Sequence, residues 1–177
     1  MKRLTSLLDF VRRSKLGFDI TLGDIALLAI AIAQAAGNPI TETRLHKVLT
    51  IVERELKLGV ANLKPHYFGP YIPELRDALE GLRKNSYIEI EERSRETSDF
   101  GYPYIKVYKV TKSGEARARE LADKLARSSL GKRILKLLEL WAPARLDVVL
   151  YYVYTKYPDL TDRSVIKDRV LGHSAVT

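Results

Sequence analysis

The feature that most constrains this chain is a change of period near Asn85. Before it, apolar residues recur every three or four positions; after it, they alternate. Thr41 or Thr43 caps a helix whose stripe is Leu45, Val48, Leu49, Val52 and Leu56, closed by Gly59. From Val60 to Tyr71 the pattern breaks, and Pro65, Gly69 and Pro70 exclude regular helix. Pro73 suits a first helical turn, and Leu75, Ala78, Leu79 and Leu82 then make one apolar face up to Asn85. Tyr87, Ile88 and Ile90 read as a strand. Ser94 to Pro103 is polar and turn-rich, and Tyr104, Ile105, Val107, Tyr108 and Val110 make a second strand.

The flanks are helical. Leu4, Leu7, Leu8 and Val11 stripe an amphipathic first helix that Gly17 ends, with no apolar run of the kind a signal peptide carries. Thr21 offers an N-cap, with Asp24 in a capping-box role. The run Ile25 to Ala36 is apolar nearly all round and stops at Gly37-Asn38-Pro39. It is short of the roughly 20 residues a membrane span needs, so it reads as a core helix. Thr111 caps a helix over Lys112 to Arg127. Further helices cover Lys132 to Trp141 and Leu146 to Tyr157, and Asp159-Leu160-Thr161 caps a last one over Asp162 to Val170. The expected fold is mainly α with a small β-hairpin. Thr41 to Lys112 reads as a winged helix-turn-helix, within a domain over 38–128. N-terminal helices (1–37) precede it, the second packing into the core, and a helical extension (129–177) follows.

The chain has no cysteine, which removes disulfides and thiolate chemistry and fits a cytoplasmic protein. Its net charge of +8 raises the odds of a nucleic-acid or acidic partner without deciding a site. The three histidines, His46, His66 and His173, are scattered over a helix, a turn and the tail. No metal or cofactor is expected, and His66 is read as ordering its turn. No phosphate loop, nucleophile motif or paired-carboxylate setting stands out, so the sequence does not read as an enzyme.

Three motifs carry a family resemblance. They are Leu45-His46-Lys47-Val48-Leu49, the turn His66-Tyr67-Phe68-Gly69-Pro70-Tyr71, and Leu79-xx-Leu82. Together they resemble the YwgA-type and Panacea (antitoxin-like) proteins, with their Lys-Leu helix and aromatic-Gly-Pro-Tyr turn. The tail run Val153-Tyr154-xx-Tyr157-Pro158 with Arg163-Ser164-x-Ile166-Lys167 is similar to the YwgA-type ending. The resemblance implies a winged-helix-like domain in regulation or antitoxin-like control and supplies no catalytic residue. The turn has two readings. In one it shapes the chain through its aromatics; in the other it presents a helix N-terminus to a phosphate. The structural reading outweighs the other.

The helix after the turn would be the recognition helix of a DNA-binding protein. Its expected outward residues are Glu74, Arg76, Asp77, Glu80, Arg83 and Lys84, which sum to zero charge. The wing reads as acidic, since Glu89, Glu91, Glu92, Glu96 and Asp99 outnumber Arg93 and Arg95. Positive charge concentrates elsewhere. Lys2, Arg3, Arg12, Arg13 and Lys15 oppose only Asp9, and Lys112 to Lys136 carries eight cations against three acids. These faces read equally as solvated helix surface and as a footprint for a phosphate backbone. Tyr151, Tyr152, Tyr154 and Tyr157 fit either an interface or packing against the Ile25 to Ala36 helix.

The expected function is a DNA-binding regulator of transcription, acting as a homodimer on duplex DNA. Its contacts are Arg76, Arg83 and Lys84, the wing residues Arg93 and Arg95, and Arg12, Arg13 and Lys15 of the first helix. The rival is a protein-interaction module that docks a protein partner on the same surface. A weaker third reading is non-specific nucleic-acid binding through the basic helices alone.

Overall fold

The computed structural model describes residues 15–94 and 104–172. Arg12, Arg13, Arg95 and His173, with the other residues of 1–14, 95–103 and 173–177, lie outside the described residues.

The helix α1 (Leu22–Ala35) begins where the sequence places it. Thr21 Oγ1 accepts from Asp24 N at 3.1 Å, and Asp24 Oδ2 accepts from Thr21 N at 3.0 Å, which closes the capping box. With apolar side chains on nearly every side it has no solvent face, and it occupies the centre. Ile25, Leu27, Leu28 and Ile30 are all buried, each burial worth about 1.5–3 kcal/mol. No described helix is long and apolar enough to cross a membrane.

Next comes β1 (Ile40–Thr41), too short to leave a periodic signal. Thr41 both ends this strand and caps α2 (Glu42–Leu56), accepting from Arg44 N at 3.4 Å. Lys57, left-handed at φ 51°, terminates α2; Gly59, expected there, lies two residues further on. The apolar face of α3 (Leu75–Lys84) is the predicted one, with Leu75, Leu79 and Leu82 buried. It packs on α1 and on β2 (Ile88–Ser94). β3 (Tyr104–Val110) pairs with both other strands, Ile88↔Val110 to Ser94↔Tyr104 on one side and Ile40↔Tyr108 on the other. The expected two-stranded hairpin is therefore part of a three-stranded antiparallel sheet in the order β1-β3-β2.

Four helices follow: α4 (Lys112–Leu125), α5 (Ser129–Trp141), α6 (Leu146–Lys156) and the short α7 (Lys167–Gly172). Thr111 and Ser128 cap α4 and α5 by accepting from Gly114 N and Gly131 N. Both glycines mark backbone-to-backbone contacts. A Cβ on Gly114 would sit 1.9 Å from the Tyr87 carbonyl oxygen, and one on Gly131 would sit 1.9 Å from that of Leu125. The tail departs from expectation. Pro158–Leu160 is a 3-10 turn, and the last helix starts at Lys167, not Asp162. One apolar cluster runs from Leu16 through α1, α2, the sheet and α4 to Ile166.

Candidate functional site

The sequence count of charges on α3 treats the helix as one surface, but the fold divides it. Glu74 and Asp77 line a cleft of about 480 Å³ between α3 and the start of α1, with Asp24 and Arg117 across from them. Glu74 is half-buried rather than outward. One of its carboxylate oxygens accepts from the Asn62 amide, and the other is shut from solvent without a partner. Arg76, Glu80, Arg83 and Lys84 stand off the cleft. At 100° per residue, Arg76, Glu80 and Arg83 fall on one side of the helix, with Lys84 adjoining. That side carries two bases against one acid, and Lys84 at its edge is matched by exposed Asp77, seven residues before it.

Its charges differ in freedom. Glu80 holds Arg83 in a fork, Nε to Oε2 at 2.9 Å and Nη2 to Oε1 at 2.6 Å, and these bonds keep the carboxyl below its ordinary range. Arg76 and Lys84 are exposed and pair with no carboxylate among the described residues.

The strands of the hairpin are balanced rather than acidic. The register sets Glu89 opposite Lys109 and Glu92 opposite Lys106. Glu91 accepts from Arg93 at 2.8 Å and binds Lys109 at 2.7 Å, and these partners hold its carboxyl down at about 2. On the described strands Glu89, Glu91 and Glu92 thus meet Arg93, Lys106 and Lys109. The two lysines of β3 are what a count over β2 and the loop leaves out. Arg93 is engaged by Glu91. Lys15 is exposed at a helical end just before Gly17, where φ is 76°.

The turn 66–71 is clamped from two sides. Lys64 and Tyr71 exchange backbone hydrogen bonds at 2.9 and 2.8 Å, and Gly69 N donates to the His66 carbonyl. From α2, Lys47 Nζ donates to the Pro70 carbonyl at 3.0 Å, and His46 Nδ1 accepts from Ile72 N at 3.2 Å. The His46 ring also stacks on Tyr71 at 4.7 Å. From the tail, Val165 N donates to the Tyr67 carbonyl at 2.8 Å, and Ser164 Oγ lies 2.5 Å from the Tyr154 hydroxyl. Gly69 has φ 86° and a Cβ there would sit 2.9 Å from the Tyr154 ring, so side chains are excluded twice over. The histidine whose side chain grips this backbone is His46; the ring of His66, expected to order the turn, only lies against Tyr67, Phe68 and Tyr71. At the N-terminus of α3 stand Glu74 and Asp77, which repel a phosphate.

Sequence reasoning missed the basic residues buried in α2. Arg44, His46 and Lys47 are all less than 8% exposed. Burial lowers Lys47 to about 7, and burial with the Lys47 and His66 charges lowers His46 to about 3. The available signal was the turn itself, whose backbone groups need partners when a helix covers them.

Two of the tail tyrosines, Tyr152 and Tyr157, reach α2, and Tyr154 packs on the turn at Gly69. Tyr152 and Tyr157 both donate to Glu55 Oε1, at 3.0 and 2.7 Å, and Trp141 lies 4.4 Å from the Tyr152 ring. Arg54 pairs with Asp159 at 2.6 Å and sits 5.1 Å over Tyr157. Tyr151 and Val148 remain exposed. Among the described residues no three metal-ligating side chains cluster. No protein-family model matches this chain, and no curated protein matches it.

Proposed function

We propose that this is a winged-helix DNA-binding protein, a non-catalytic regulator of transcription that acts as a homodimer. In this reading α1, β1, α2, α3, β2 and β3 are the winged-helix unit, and α3 enters the major groove. The observation that carries it is the division of α3. Glu74 turns to the cleft, Arg76 and Arg83 share the outer side with Glu80, and Lys84 stands at its edge beside Asp77, which lines the cleft mouth. Arg93 and Arg95 of the wing, and Arg12, Arg13 and Lys15, would add phosphate contacts. The kinship with YwgA-type and Panacea proteins is part of the proposal. It is supported by the way the two main motifs meet, Lys47 and His46 of the helix holding Pro70 and Ile72 beside the Gly-Pro-Tyr turn.

The direct test is duplex binding against salt. The wild type should bind with a steep salt dependence, and Arg83→Ala with Lys84→Ala should flatten the slope of log affinity against log salt by about 1–2. No binding in modest salt, or an unchanged slope in the double variant, rules out this mode. A second reading, a docking module for a protein partner, is favoured by the internally paired strands of the hairpin and by exposed Tyr151 and Val148. Retention of one defined partner without retention of DNA would decide for it.

A further inference from the structure

The cations of the C-terminal half fall into two groups. On α4 the acids answer them. Arg119 pairs with Glu115 at 2.6 Å, Lys124 with Glu120 at 3.0 Å, and Arg117 with Glu120 at 3.2 Å. From Arg127 to the end of α5 the answering stops, and it resumes with Arg145 on Asp147 and Lys167 on Asp162. Arg127, Lys132, Arg133 and Lys136 are all exposed, and none has a carboxylate partner among the described residues. The only acid of α5 is Glu139.

These four residues share one closely packed corner. The connection from α4 to α5 is three residues long, and Gly131 lies directly on the Leu125 carbonyl, so the first turn of α5 packs against the end of α4. Along α5, Lys136 stands four residues from Lys132 and three from Arg133, which aligns them on the side opposite buried Ile134 and Leu138. This placement works against the fold. Lys132 and Lys136 repel each other at that spacing, and no acid occupies the first turn of a helix whose N-terminus is already positive. Among the described residues no carboxylate forms an ion pair with these cations, and Glu139 is the one acid on α5. Lysine, which protein interfaces deplete, supplies two of the four cations, and the one large exposed apolar side chain on this side of α5 is Leu140.

We infer that Arg127, Lys132, Arg133 and Lys136 form a second contact surface for duplex DNA, lying along its phosphate backbone and distinct from α3. This deepens the DNA-binding reading and rests on it. The rise of about 6 Å from Lys132 to Lys136 spans roughly two phosphates of one strand, so adjacent phosphates can each meet a cation.

The experiment follows binding of the full chain to a short labelled duplex by fluorescence anisotropy across a range of potassium chloride. It compares the wild type, Lys132→Gln/Arg133→Gln/Lys136→Gln, Arg76→Ala/Lys84→Ala, and Lys132→Arg/Lys136→Arg. The glutamine variant should lower the salt slope by about 2–3 and the charge-keeping variant should leave it unchanged. A wild-type slope in a folded glutamine variant overturns this inference and leaves the DNA-binding reading standing. A lowered slope there with no effect from Arg76→Ala/Lys84→Ala keeps this surface and removes α3. A wild type that binds no duplex removes both. Loss of binding in the glutamine variant to an acidic polypeptide such as polyglutamate, with duplex binding unaffected, assigns the corner to protein and also overturns it.

Discussion

Two helices of this protein carry three basic residues each within a few positions, and the fold treats them in opposite ways. On α2, Arg44, His46 and Lys47 are buried, and His46 and Lys47 hold backbone at Pro70 and Ile72. On α5, Lys132, Arg133 and Lys136 are displayed and hold nothing. A buried ammonium has left water and must recover the loss through local hydrogen bonds, so it ties its partner down and is sensitive to pH. A displayed one contributes little to stability and sets the field around the molecule. The same residue types thus serve structure in one helix and long-range attraction in the other.

The comparison breaks most visibly at Gly131. If the displayed face depends on its backbone corner and not on its charges, Gly131→Ala should cost about 3 kcal/mol in urea unfolding, since a Cβ there meets the Leu125 carbonyl. Neutralising Lys132, Arg133 and Lys136 should leave stability within about 0.5 kcal/mol. Equal losses from both changes would mean that the charges are structural after all.

The next effect is on the buried side. Lys47 falls from an ordinary value of 10.5 to about 7 on folding. Between those values the unfolded chain binds a proton that the folded chain does not, so stability rises with pH across the window. Raising the pH from 7 to about 9 should add about 2 kcal/mol, and Lys47→Met should abolish the rise. His46, lowered from 6.5 to about 3, acts in the same sense: stability falls as the pH drops below 6.5. Parallel pH profiles for wild type and Lys47→Met would refute the assignment to Lys47.

The smallest effect sharpens the displayed side. Glu80 is the one acid on the outer side of α3, and it forks Arg83. Glu80→Gln should tighten duplex binding several-fold at moderate salt and steepen the salt slope by about 1, read in the same anisotropy titration. A weaker or unchanged affinity would show that the outer side of α3 does not face phosphate.

Most of the secondary structure was legible from period and caps. Thr21, Thr111, the stripe of α3 and the two long strands stand where their patterns place them, because each depends on neighbours within a few residues. Elements with weak local signal were not legible. β1 is two residues long, and the tail after Pro158 takes its shape from bonds to Tyr67, almost a hundred positions away. The candidate site was legible as a set of residues and not as an arrangement. Counting charges along α3 gives zero, and along the wing an acidic sum.

What the sequence determined by itself is therefore what local chemistry decides: which stretches are helix or strand, that α1 must be covered on all sides, and which side chains are charged. Only the tertiary structure decided which charges meet. It turned Glu74 and Asp77 into a cleft, set Lys106 and Lys109 against the glutamates of β2, sank Lys47 against Pro70, and left the α5 corner unanswered. The reason is range. Caps and periods act over three or four residues, whereas a carboxylate and its cation are joined through space, by whichever packing brings them within a few ångströms.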